Sequence, residues 1–235
     1  MDESTKKELV TTTAKSLRDF VGPGLALIPI IGGSLSALWN QWDTDRRFNR
    51  VEETLAELTK LLASGQYSLV AESLLDDDMQ ILETVLQRAQ MAHTEEKRRL
   101  FARLIATCWT DAHDRPFDER MLFVNALSAF TENHIKALSI LDDAGVNGAV
   151  SYSSLCVSVA SSLPTEVEKN SLMVPILETL AAQFGFIRRA WGLNDPSYKG
   201  AALFSLNLSP EGIARKCNHV ITPLGQRFMK SLKEK

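Results

Sequence analysis

Apolar positions in the first two-thirds of the chain recur every three or four residues. After a polar segment at 3–20, with Leu9, Val10, Leu17 and Phe20 as its apolar positions, the set Phe48, Val51, Leu55, Leu58 and Leu62 marks one face of a helix entered from Asp43, with Gly65 as its stop. A second run, Met79, Leu82, Leu86 and Ala89, follows the carboxylates Asp76–Asp78. Acidic side chains in a first turn favour the helix dipole, so these three read as a start signal. A third helix is expected after Thr94, a capping residue type, with Lys97, Leu100 or Phe101, Leu104, Ile105 and Cys108 along its face. Pro116 breaks the chain before a fourth helix at 118–130. There Met121, Leu122, Phe123, Val124, Ala126, Leu127, Ala129 and Phe130 cover most of the circumference, which predicts a central, buried helix.

The pattern changes near residue 131. Thr131 can cap a helix with Ile135, Leu138 and Leu141 inward and Gly145 at its end. Residues 149–163 are small, β-branched and serine-rich, and fit either a helix or a strand. A short helix is predicted through Pro175, Ile176, Leu177 and Leu180, and a strand over Phe186–Trp191. A turn-rich stretch follows at 192–200, then a strand over Ala201–Leu208 and another over Cys217–Ile221. Thr222-Pro223 is an N-cap followed by proline at the first helical position, and opens a last helix bearing Leu224, Phe228 and Leu232. This order is that of a winged helix. The expected fold is mainly α: an N-terminal helical bundle over residues 1–130 and a C-terminal winged-helix domain over 131–235.

Composition adds little to that picture, but charge does. Apolar residues make up 45% of the 235 and charged residues 23%, ordinary globular usage that argues against a disordered chain. Residues 1–130 carry net charge −5, residues 131–186 carry −4, and residues 187–235 carry +6. With −3 overall, the whole chain is no electrostatic DNA binder, and its C-terminal segment alone has the sign a polyanion wants. Three separated cysteines, Cys108, Cys156 and Cys217, speak for a reducing compartment, and the N-terminus lacks the pattern of a secretory signal. A cytoplasmic location is the expectation, with membrane association on activation.

One stretch stands apart. Phe20–Trp39 holds no charge over 20 residues, about the length that crosses a hydrocarbon core. Four glycines and two prolines break it, with Pro29 inside any single helix. Two readings stand: a loop and helix start buried under the bundle, or a segment released into a membrane or onto a partner through Leu25, Leu27, Ile28, Ile30, Ile31, Leu35, Leu38 and Trp39. In the second, Trp39 and Trp42 anchor at the interface and Arg46 and Arg47 contact phosphates.

Chemistry-bearing motifs are missing. No P-loop, GxSxG, HExxH, paired CxxC or EF-hand spacing occurs. The polar cluster Cys108, Asp111, His113, Asp114, Asp118 and Glu119 has metal-ligating types but a single local histidine. Cys108 reads as a small core residue, and His93, His134 and His219 as surface or capping residues. The chain is therefore read as non-enzymatic, with no catalytic residue, metal site or cofactor. The functional patch is basic: Arg188, Arg189, Lys199, Arg215 and Lys216 as polyanion contacts, with Arg227 and Lys230 beyond. Against DNA readout, the exposed positions expected of the recognition helix are Asn170, Ser171, Glu178, Thr179 and Gln183, with no cation after Lys169.

The block RRLFARLIATCWTDAHDRPFDERMLFVNALSAFTENHIKALSIL, with LETLAAQFGFI and VITPLGQRFMKSL, resembles the central and closing parts of bacterial abortive-infection alpha (Abi-alpha) proteins over roughly residues 95–235. Leu104, Leu177, Leu180, Gly185, Thr222, Gly225 and Phe228 are the matching positions. The resemblance implies a bacterial phage-defence protein without a catalytic set. It acts through a protein partner, a homo-oligomer or a membrane. A winged-helix DNA-binding regulator is the alternative.

Overall fold

The computed structural model describes residues 45–64, 76–110, 115–161, 163–190 and 218–233. Among these the chain is mainly helical, with eight α-helices and one three-stranded sheet. It divides into two compact units, with the change-over between Ser128 and Ala129. The uncharged segment 20–39, the expected strand at 201–208 and the turn-rich stretch at 192–200 lie outside the described residues.

Unit 1 contains α1 (Asp45–Ala63), α2 (Asp76–Ala89), α3 (Glu95–Thr110) and α4 (Phe117–Ala129), which runs up to the change-over. The inner face of α1 is Val51, Thr54, Leu55, Leu58 and Leu61, so Leu61 replaces the expected Leu62. Thr54 is tolerated there because its hydroxyl donates to Arg50 O at 2.8 Å. Helix α2 buries Ile81, Leu82, Val85, Leu86 and Ala89. Thr94 caps α3 as expected, its Oγ1 accepting from Lys97 N at 3.3 Å. Of the residues from Phe101 to Trp109, only Arg103 escapes burial, so α3 is more enveloped than the expected central helix. In α4, Phe123, Val124, Ala126 and Leu127 are buried, while Met121 and Leu122 are half-buried.

Asp78 departs from its expected role as a dipole signal. Its side chain is 1% exposed and paired with Arg120 of α4, itself 4% exposed, and its carbonyl accepts from Trp109 Nε1 at 3.4 Å. A buried carboxylate needs such a cation, because removing it from water is otherwise strongly unfavourable.

Unit 2 runs α5 (Glu132–Ala144), β1 (Val150–Ser151), α6 (Tyr152–Val159), α7 (Glu166–Glu178), a wider π turn (Thr179–Gln183), β2 (Ile187–Ala190), β3 (Asn218–Ile221) and α8 (Pro223–Leu232). The stretch that fitted helix or strand is both, with Ser151 capping α6 by accepting from Ser154 N at 3.2 Å. The short helix expected through Pro175 is found as α7, starting at Glu166. There Thr165 and Glu168 form a capping box, Glu168 N donating to Thr165 Oγ1 at 3.2 Å and Thr165 N to Glu168 Oε2 at 3.1 Å. Pro175 sits inside this helix, and the backbone beyond loosens into the π turn, closed by Phe184 N to Thr179 O at 3.3 Å.

Strand β3 lies between β1 and β2 and is antiparallel to both, pairing Val150 with His219, Arg189 with His219 and Ile187 with Ile221. Beside the sheet, four phenylalanines form the core. Phe130 meets Phe184, Phe186 and Phe228 edge-on at 5.1, 5.8 and 5.7 Å, and Phe186 stacks on Phe228 at 4.7 Å. His134 is buried where Ile135 was expected. It combines packing with the capping role, stacking on Phe130 at 5.1 Å while Thr131 N donates to its Nδ1 at 3.2 Å.

Thr222 ties the end of the unit together. Its hydroxyl donates to Gly185 O at 2.8 Å and accepts from Gly225 N at 3.1 Å, and its own N–H donates to Phe186 O at 2.9 Å. Gly185 takes φ +64°, a left-handed conformation that glycine adopts without penalty. Gly225 is required for another reason. A Cβ there would lie 2.2 Å from Phe186 O.

Candidate functional site

The basic patch expected at the C-terminal end is only partly assembled by the described residues. Arg188 on β2 is exposed and makes no ion pair with a described residue. Its neighbour Arg189 points the other way, as strand alternation requires, and pairs with Glu178 at the end of α7. Lys199, Arg215 and Lys216 lie outside the described residues, as do Leu25, Leu27, Ile28, Ile30, Ile31, Leu35, Leu38 and Trp39 of the uncharged segment. Arg227 and Lys230 are both exposed on α8.

The surface of α7 is not shaped for a polyanion. It carries three glutamates and a single lysine. Asn170 is half-buried and accepts from Tyr152 Oη at 2.5 Å, which fixes α6 against α7. Ser171 returns its hydroxyl to Val167 O at 2.9 Å. Thr179 is half-buried within the π turn, and Gln183 is exposed. Two apolar side chains stand out instead: Val157 on α6 is 67% exposed and Val167 on α7 is 74% exposed.

His219 is not the surface or capping residue expected. It sits in the middle strand, fully buried, and neither ring nitrogen has a described hydrogen-bond partner. Burial, and then the charge of Arg189 directly opposite, lower its pKa to about 4. The short sequence HVIT gives no sign of this, because a histidine in an apolar strand reads equally well at an exposed edge.

The candidate metal loop is not assembled among the described residues, where no group of three or more His, Cys, Asp or Glu side chains gathers. Cys108 is fully buried on α3, and Asp111, His113 and Asp114 lie outside the described residues. Arg115 is buried, its guanidinium 5.7 Å above the Phe123 ring. No described helix is long and apolar enough to cross a membrane.

A feature of unit 1 escaped the sequence reading. A cavity of about 570 Å³ opens beside the C-terminal end of α2 and is lined by Arg47, Arg88, Lys97, Met91, Phe101 and Ser128, among others. Arg47 was singled out as a phosphate contact at a bilayer, but the partners that surround it here come from positions 40 to 80 residues further along. No linear motif can report such a cluster.

The seven positions that carry the Abi-alpha resemblance all have structural work. Leu104, Leu177, Leu180 and Phe228 are buried, and Gly185, Thr222 and Gly225 form the backbone tie described above. In comparisons with family models, curated proteins and solved structures, nothing matches the chain.

Proposed function

We propose that unit 2 is a winged helix, with α5, α6 and α7 as its helices and β1–β3–β2 as its sheet. We further propose that the protein is a non-enzymatic bacterial defence protein of the abortive-infection kind, which docks a protein partner through this module. Element order and the central place of β3 support the module. The defence setting rests on the resemblance over residues 95–235.

The observation that carries docking to protein rather than to DNA is the pairing of Arg189 with Glu178. The helix that would enter a groove turns a carboxylate toward the wing strand and consumes one of its cations. The same helix pair displays Val157 and Val167, whose exposed apolar surface gains from contact with another protein.

The test is phage plating on bacteria that express the chain. Protection by the wild type and its loss in Val167→Asp, with the melting temperature unchanged, is the expected result. Undiminished protection by Val167→Asp would sink docking through this face. Removing residues 20–39 asks whether membrane disturbance is the effector step, and full protection without them would defeat that part. The DNA-binding regulator remains the second reading because Arg188 is exposed on β2. It requires steeply salt-dependent duplex binding, reduced by Arg188→Glu on all sequences alike.

A further inference from the structure

The cavity of unit 1 concentrates positive charge without a carboxylate in its lining. Its volume, about 570 Å³, is within the usual range of small-ligand pockets, roughly 300–1,000 Å³. Nearby arginines have structural duties. Arg50 donates to Gln90 O at 3.0 Å, and Arg98 donates to Ala92 O at 3.0 Å and pairs with Glu53 at 2.6 Å. These bonds satisfy carbonyls of the turn that follows α2. The side chains of Arg47 and Arg88, by contrast, line the cavity and form no hydrogen bond or ion pair with a described residue.

The helix dipole accounts for Arg88, which lies in the last turn of α2. It cannot account for Lys97. This lysine stands in the first turn of α3, beside Glu95 and Glu96, where the dipole opposes a cation. It is held toward the cavity by donating to Ser128 O at 3.0 Å, and burial lowers its pKa. An anion in the cavity would reverse that penalty. Met91, 55% exposed at the margin, adds apolar surface beside the charges.

We infer that this cavity binds a phosphorylated small molecule, its phosphate chain held by Arg47, Arg88 and Lys97 and the rest of the molecule lying toward Met91. Three cations from three helices around one concavity suit a di- or triphosphate better than a single carboxylate, because several separated oxygens can each meet a donor. Binding would also link α1, α2 and α3 through a common ligand. This inference concerns unit 1 alone and stands or falls separately from the partner docking assigned to unit 2.

The experiment is calorimetric titration of the full chain at physiological salt with pyrophosphate and with ATP. Parallel titrations use Arg47→Glu, Arg88→Glu, Arg88→Lys and, as a control in unit 2, Arg188→Glu. Binding with Kd at or below about 1 mM, weakened about tenfold or more by each of the first two reversals and retained in part by Arg88→Lys, is the expected result. Thermal melts with and without pyrophosphate keep the test independent of folding: a variant that melts like the wild type but gains no ligand protection has lost the site. Three results would overturn the inference. They are no binding of either probe at about 5 mM, an equal loss in Arg188→Glu, and binding confined to vesicles carrying phosphorylated lipid headgroups while both free probes fail.

Discussion

The two units solve the problem of a buried polar group in opposite ways. Unit 1 hides a full charge, Asp78, and answers it with Arg120 from a helix more than forty residues away. Unit 2 hides His219 and gives its ring no hydrogen-bond partner among the described residues, so the ring is kept neutral by burial and by the charge of Arg189. The first arrangement fixes which helices meet, since α2 and α4 must place both partners together. The second fixes a protonation state. Around these groups the cores differ as well, mostly aliphatic in α1 and α2 and centred on phenylalanine in unit 2.

The most damaging substitutions should be those that leave each solution half undone. Asp78→Ala strands the Arg120 guanidinium in unit 1 and should cost about 3–5 kcal/mol. Phe186→Ala in unit 2 opens a hole against Phe130 and Phe228 and should also cost about 3–5 kcal/mol. Urea titrations followed by circular dichroism measure both. Replacing Asp78 and Arg120 together by apolar residues of similar volume should be far milder than Asp78→Ala. Equal losses would mean that the ion pair is not what joins the helices.

Acid should separate the units next. His219 is lowered to about 4 in the folded chain from an ordinary value of 6.5. The fold therefore favours the neutral ring. Its contribution is whole above pH 6.5 and is lost as pH falls through 4, for a total of about 3 kcal/mol. Melting temperatures of wild type and His219→Leu between pH 7 and 4 test this. The wild type should lose stability with acid more steeply than the variant, and parallel slopes would remove His219 from the account.

A smaller effect, about 1–3 kcal/mol, is expected of Gly225→Ala, because its new methyl must push Phe186 O aside. Gly145→Ala makes a useful contrast. That glycine has open space around it but φ +75°, so its penalty is conformational rather than steric. Least costly should be Glu178→Gln, which frees Arg189 for about 0.2–1 kcal/mol of stability, the pair being about a third exposed. If Arg189 can serve a polyanion, this variant should raise non-specific duplex binding at low salt. No change would leave the wing to Arg188 and the residues beyond β2.

Much of the helical content was legible because it depends on local signals. The periodic faces of α1 and α2, the Thr94 cap of α3 and the Thr222-Pro223 start of α8 each lie within a few residues of one another. The helix through Pro175 was expected without a start, and the capping box of Thr165 with Glu168 supplies it. Asp78 was indistinguishable from Asp76 and Asp77, since only the arrival of Arg120 makes it different. Of the expected basic patch, the pairing of Arg189 was unreadable because Glu178 lies on a different element and was expected to be an exposed position of the recognition helix. The cationic cavity failed for the same reason on a larger scale: Arg47, Arg88 and Lys97 belong to three helices.

The middle strand of unit 2 is also the last to be made. Residues 218–221 leave the ribosome after both of the strands they join, and among the described strands β1 and β2 have no other edge to pair with. Nascent unit 2 must hold those backbone groups open through the whole synthesis of residues 191–217. The described sheet is thus completed only when residues 218–221 arrive between β1 and β2, after every helix of unit 2 but α8 has been made.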